Sequence, residues 1–144
     1  MFFSSPFAGA RGAPAQAYRR TEIESRTAEA DPHQLVAMLF QGLFDAIAQA
    51  RGAMRSGDVA TKCKALGRAV SIVDEGLRAA LDLRQGGPLA RDLHDLYAYV
   101  TMRLTRANLQ DSEAALDEVV ELMQPLADAW SSIRPQATKP ATGA

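Results

Sequence analysis

The chain has little that would staple, charge or anchor it from outside. It carries one cysteine, one tryptophan and only 6% aromatic residues among 144. A lone Cys63 closes no internal disulfide, which excludes a disulfide-built scaffold and points to a reducing compartment. Its place in an apolar helical spacing makes it, on the sequence, a small buried hydrophobe. Charge of one sign is lacking as well: 16 basic against 17 acidic side chains leave a net charge of -1. Nothing therefore draws the chain to nucleic acid or to an anionic membrane. No window approaches the roughly 18 apolar residues of a membrane span, so no membrane insertion is expected. A secretory leader would set basic residues before an apolar run, whereas Phe2 and Phe3 precede Arg11. The expected compartment is the cytoplasm. Alternating β-branched runs bounded by turn dipeptides are missing too, which removes the signal for strands.

The marks of catalysis are equally sparse. His33 and His94 fall on different expected helices, and neither has a Glu three residues before it, as a di-metal carboxylate bundle requires. No metal and no cofactor are expected. Gly86-Gly87-Pro88 lacks the preceding strand and following Lys of a phosphate loop. A histidine phosphotransfer bundle stays open as an alternative through His94, but the residues after it, Asp95, Leu96 and Tyr97, bring the wrong charge for a phosphate. The chain is not expected to be an enzyme.

What is present is helical periodicity, with 47% hydrophobic residues to build it. Asp31 serves as N-cap with Pro32 at the first helical position and Gln34 placed to close a capping box. Val36, Phe40, Leu43, Ile47, Ala50 and Met54 then recur in steps of three and four, one face of a helix. Ser56-Gly57-Asp58 ends this helix and caps the next, whose seam runs Val59, Cys63, Leu66, Val70, Val73, Leu77 and Ala80 as far as Gly86-Gly87. Pro88 opens a third helix along Leu93, Tyr97, Val100, Leu104 and Ala107. Asp111-Ser112 caps a fourth along Leu116, Val119, Met123, Leu126, Trp130 and Ile133, with a kink expected at Pro125.

Four helices on short links predict an all-α, antiparallel up-down four-helix bundle. Tyr18 to Thr27 forms a short extra helix before it. Residues 1–17 read as a flexible arm, 18–133 as the bundle domain and 134–144 as a disordered tail.

One stripe per helix suffices for a bundle, yet the first two helices carry a second, made largely of small residues. On the first it comprises Leu35, Leu39, Gly42, Ala46 and Ala53, and on the second Ala65, Ala69, Ile72, Gly76, Ala79 and Leu83. Two readings are open. The stripes form a shallow apolar groove for an amphipathic or extended peptide, or they widen the core face of a compact bundle.

Particular strings go further than period. These are Ala17-Tyr18, Asp31-Pro32-His33-Gln34-Leu35, Met38-Leu39-Phe40-Gln41-Gly42, Ser56-Gly57-Asp58, Ala65-Leu66-Gly67-Arg68-Ala69, Gly86-Gly87, Leu96-Tyr97-Ala98-Tyr99 and Ala107-Asn108-Leu109. In that order and spacing the chain resembles the bacterial flagellin-specific export chaperone family, from about Tyr18 to Ile133. Gln41 and Asp92 depart from the residues usual in that family without disturbing the apolar pattern. The resemblance implies a helical bundle around which the disordered C-terminal segment of flagellin wraps, held from premature polymerisation and kept fit for export. It also implies delivery to the cytoplasmic domain of the export gate, and an N-terminal segment around Tyr18 that cargo displaces. The residues expected to meet flagellin are Tyr18, Leu35, Leu39, Gly42, Leu43, Ala65, Ala69, Ile72, Gly76 and Leu83. A bundle chaperone with other cargo is the remaining alternative.

Overall fold

A computed structural model describes residues 31–133, so the expected arm, the short helix at Tyr18 to Thr27 and the C-terminal tail lie outside the described residues. Two compact units divide the chain, Met1–Leu35 and Val36–Ala144. All regular structure among the described residues is helical: α1 (Pro32–Ser56), α2 (Val59–Ser71) running on into a π-helical segment (Ile72–Leu77), α3 (Gly87–Gln110) and α4 (Glu113–Ser132).

The boundaries follow from side chains that satisfy orphan backbone groups. At the start of α1 the Asp31 carboxylate accepts from the Gln34 N–H at 2.8 Å. Gly57 takes a left-handed φ of 74°, which reverses the chain between α1 and α2 at no steric cost. Asp58 then accepts from both the N–H and the hydroxyl of Thr61, at 3.1 and 2.7 Å, and these bonds hold its carboxyl below the usual carboxylate range. Ser112 caps α4 through the Ala115 N–H at 3.0 Å. Asp111, expected to share that cap, instead ends α3 in the left-handed conformation, φ 50° and ψ 46°.

Contacts between side chains set the topology from Val36 onward. Leu39 and Gly42 of α1 meet Gly76 and Ile72, so α1 and the second helix run antiparallel. Lys62, early in α2, reaches Asn108 and Asp111 at the end of α3. Tyr99 and Arg103 of α3 bond Glu118 of α4, and Arg51 and Arg55 at the end of α1 grip Glu113 at the start of α4. Each helix is thus antiparallel to the next and α4 closes on α1, an up-down four-helix bundle. Phe40, Leu43, Ile47 and Ala50 of α1 pack with Leu66, Val73 and Leu77, with Tyr97, Val100 and Leu104, and with Leu116, Val119 and Met123 in one buried cluster.

The second helix departs most from expectation. Its α-helical part stops at Ser71, and the chain continues through a π turn in which the Arg78 N–H donates to the Val73 carbonyl at 2.8 Å. It therefore does not run as one helix to Gly86-Gly87. Its core face is also rotated: Lys62, Ala65, Leu66 and Ala69 are buried, while Val59 and Cys63 are exposed. Cys63 is thus not the buried hydrophobe expected. Its Sγ lies 3.5 Å from Asn108 Oδ1, and the neighbouring Lys62 takes the inward position because its alkyl stem packs while its ammonium finds oxygen at the end of α3. At Pro125 the helix runs on from Glu113 to Ser132 without a break, the proline being solvent-exposed where the lost hydrogen bond faces water.

Candidate functional site

The two small-residue stripes face each other. A Cβ added to Gly76 would lie 2.8 Å from Leu39 Cδ2, and one added to Gly42 would lie 3.2 Å from Ile72 Cδ1. Each glycine thus receives a branched side chain from the opposite helix, and missing Cβ atoms set how closely α1 and the π segment approach. Leu39, Gly42, Ile72 and Gly76 form one half-buried seam, open enough on its outer edge to be touched from solvent.

The other expected contact residues divide. Leu43 and Ala69 are wholly buried, and Ala65 nearly so, in the central cluster beneath the seam, together with Ala46. In the folded bundle Leu43 and Ala69 support the seam and present no surface of their own, while Ala65 keeps a 3% exposed edge. Ala53 is buried as well. Leu35 is half-buried in the first turn of α1, and Leu83 is 46% exposed in the connection between the π segment and α3. Tyr18 lies outside the described residues.

Two clefts flank α1. One, of about 240 Å³, lies between α1 and α4, with Ala37, Phe40, Phe44 and Ala127 along it and Gln41, Gln124, Asp128 and Ser131 at its rim. Gln41 donates to Asp45 at 2.9 Å and Gln124 to Asp128 at 3.0 Å, so the rim is pre-ordered by its own hydrogen bonds. The other, of about 360 Å³, lies between α1 and α2 and is lined by Gln49, Thr61, Lys64, Ala65 and Arg68. Neither cleft is among the surfaces expected from the sequence. The Phe40–Phe44 pair at helical spacing was the available signal for the first, and the Lys64–Arg68 pair for the second.

Charge fixes the frame around these surfaces. Arg55 spans both carboxylate oxygens of Glu113, with contacts of 2.8 to 3.2 Å, and Arg51 joins Glu113 to Asp117. The Arg55 hydrogen bond, more than any other partner, holds the Glu113 carboxyl below its ordinary range and raises Arg55 in return. Glu118 accepts from Tyr99 at 2.6 Å and from Arg103 at 2.7 Å, which lowers its pKa and raises that of Tyr99. Tyr97 is 5% exposed with no hydrogen-bond partner for its hydroxyl among the described residues, and burial pushes its pKa up.

Nothing in this frame resembles a reaction centre. His94 is partly exposed, and its Nδ1 lies 3.5 Å from Asp95 Oδ1, an anion where a phosphate would need a cation. Among the described residues no group of three or more His, Cys, Asp or Glu is placed to hold a metal, and no helix is long and apolar enough to cross a membrane. What the described residues offer is apolar surface of moderate depth: the Leu39–Ile72 seam, the Phe40–Phe44 cleft, and the exposed Met102 and Leu109 on one side of α3.

The described residues thus form a helical bundle with a partly open apolar seam. Comparison with known proteins gives its kind. The family model described as flagellar protein FliS matches residues 14–137. The flagellar secretion chaperone FliS of Salmonella typhimurium is 42% identical over 123 residues, covering 85% of this chain and 91% of that protein. The flagellar secretion chaperone FliSB of Pseudomonas aeruginosa is 40% identical over 116 residues, covering 81% and 91% respectively. FliS of Bacillus subtilis retains 27% identity over 117 residues. The chain belongs to the FliS family of flagellar secretion chaperones.

Proposed function

We propose that this chain is a cytoplasmic flagellar export chaperone that binds the disordered C-terminal segment of flagellin, blocks its premature polymerisation and keeps it competent for export. The observation that carries this reading is the Leu39–Gly76 and Ile72–Gly42 seam, a shallow apolar line along two helices in a chain whose relatives are secretion chaperones. Such a line suits an amphipathic helix laid along it, with anchors at successive turns. Leu39, Gly42, Ile72 and Gly76 are the proposed central contacts, with Leu43, Ala65 and Ala69 supporting them from the core. Leu35, Leu83 and Tyr18 remain proposed contacts at the periphery.

The energetics suit a reversible holder. Burial of apolar surface favours the complex by about 25 cal/mol per Å², offset by the cost of ordering a disordered segment, so affinity stays moderate over a large surface. A near-neutral chain that attracts no polyanion leaves an apolar polypeptide as the fitting ligand. Delivery to the cytoplasmic domain of the export gate is part of the proposal. Light scattering of flagellin induced to polymerise tests the reading. An equimolar amount of this chain is expected to suppress filament growth, and growth at the control rate would refute it.

A further inference from the structure

The α1–α2 cleft holds two cations that the bundle does not use. Arg51, Arg55, Lys62, Arg78 and Arg103 each bond a carboxylate, whereas Arg84, Arg91 and Arg106 are exposed without a side-chain partner among the described residues. Lys64 and Arg68 line one cleft and have neither ion pair nor hydrogen-bond partner for their side chains among the described residues. At a spacing of four they stand on adjacent turns of α2, where like charges weaken a helix. Asp45 of α1 accepts from Gln41 Nε2 at 2.9 Å and pairs with neither cation. Thr61, also in the cleft, is committed to capping through Asp58. Two exposed cations without an ion pair among the described residues therefore line a cavity of about 360 Å³.

We propose that this cleft receives a carboxylate side chain of the flagellin segment, clamped between Lys64 and Arg68; the inference rests on the chaperone reading above. Continuity selects this occupant. The helix register that sets Leu39 against Gly76 and Gly42 against Ile72 continues to Gln49 and Ala65 in the cleft. A peptide laid on the seam and extended toward the α1–α2 turn passes over both cations. Guanidinium and ammonium donors around one pocket suit a single carboxylate. A nucleic acid would need a run of phosphate contacts, and an isolated pair in a chain of net charge -1 supplies none. Apolar contact along the seam holds the segment, and the clamp fixes its register.

The test is calorimetric titration of the full chain with full-length flagellin of the same genome, at about 50 and about 300 mM salt. The double variant Lys64→Met with Arg68→Met keeps the alkyl stems and removes both charges. It is expected to bind about tenfold more weakly than the natural chain at the lower salt and to lose most of the salt dependence. Carbodiimide treatment of the natural complex is expected to join the Lys64 amine to a flagellin carboxyl as an amide, with loss of water, at a site mapped by mass spectrometry. Unchanged affinity and salt dependence in a folded double variant would overturn the clamp and leave the chaperone reading intact. Absence of flagellin binding by the natural chain would overturn both. Retention of a short DNA duplex by the natural chain, lost in the variant, would assign the cleft to polyanions and overturn the clamp. Far-UV circular dichroism checks folding, and Arg68→Met alone carries the same test should the double variant lose helicity.

Discussion

Leu39 of α1 occupies the space that a side chain on Gly76 would need, with its Cδ2 2.8 Å from the position of an added Cβ. Gly76 lies in the π segment, so the widest turn of the second helix and a missing side chain coincide where Leu39 of α1 packs. Gly76→Leu is expected to destabilise the bundle by about 1 to 3 kcal/mol through overpacking. Leu39→Ala in the same chain is expected to recover part of that loss. Urea denaturation of the two single variants and the double variant checks the coupling, and strictly additive losses would contradict it.

The left-handed residue Asp111 gives a second prediction. A side chain at φ 50° costs about 1 to 2 kcal/mol for most residues, a cost that Asp bears better than most. Its Oδ1 also accepts from the buried Lys62 ammonium at 2.7 Å. Asp111→Gly relieves the backbone and forfeits the bond, so its stability should stay within about 1 kcal/mol of the natural chain. Asp111→Val forfeits both and should melt well below it in thermal denaturation.

Helix pairing between α1 and α4, and between α3 and α4, is predicted to weaken in acid. Glu113 and Glu118 have pKa values lowered in the folded state, so the stability they add is present above the unfolded value near 4.5 and is lost as pH falls through their folded values. Thermal melts should show a falling limb below about pH 4.5 that flattens in Glu113→Gln. An unchanged limb in that variant would remove Glu113 from the explanation.

The alkaline side has the opposite sign. Tyr97, raised by burial, and Tyr99, raised chiefly by its bond to Glu118, contribute stability that is complete below the unfolded value near 10 and is lost as pH rises through their folded values. Tyr97→Phe removes a buried hydroxyl that has no partner among the described residues. Its stability at neutral pH should be equal to or above that of the natural chain, and its alkaline loss smaller.

Where sequence and structure part company, the reasons are local. The α1 face at Phe40, Leu43, Ile47 and Ala50 and the caps at Asp31, Asp58 and Ser112 were legible, since period and cap chemistry both act within one turn. The inward turn of Lys62 was not. A lysine counts as polar in any periodicity, and the oxygens that receive it sit some fifty residues along the chain at Asn108 and Asp111. That displacement carried Cys63 to the surface. The π turn left no residue signature, because a shift from four-residue to five-residue hydrogen bonding changes the register without changing composition. For the candidate site, the small-residue stripes were visible, but period reports faces and not neighbours. Only the fold shows Leu39 set into Gly76 and Ile72 into Gly42, with Ala65 and Ala69 consumed by the core.

Calorimetric titration with the C-terminal segment of flagellin, run beside its N-terminal segment, tests the chaperone function most directly. The C-terminal segment is expected to bind at about ten micromolar or tighter with a negative heat-capacity change, and Leu39→Asp or Ile72→Asp to weaken it while far-UV helicity survives. No heat from the C-terminal segment, or equal binding by natural chain and helical variants, would contradict the assignment of flagellin to this seam.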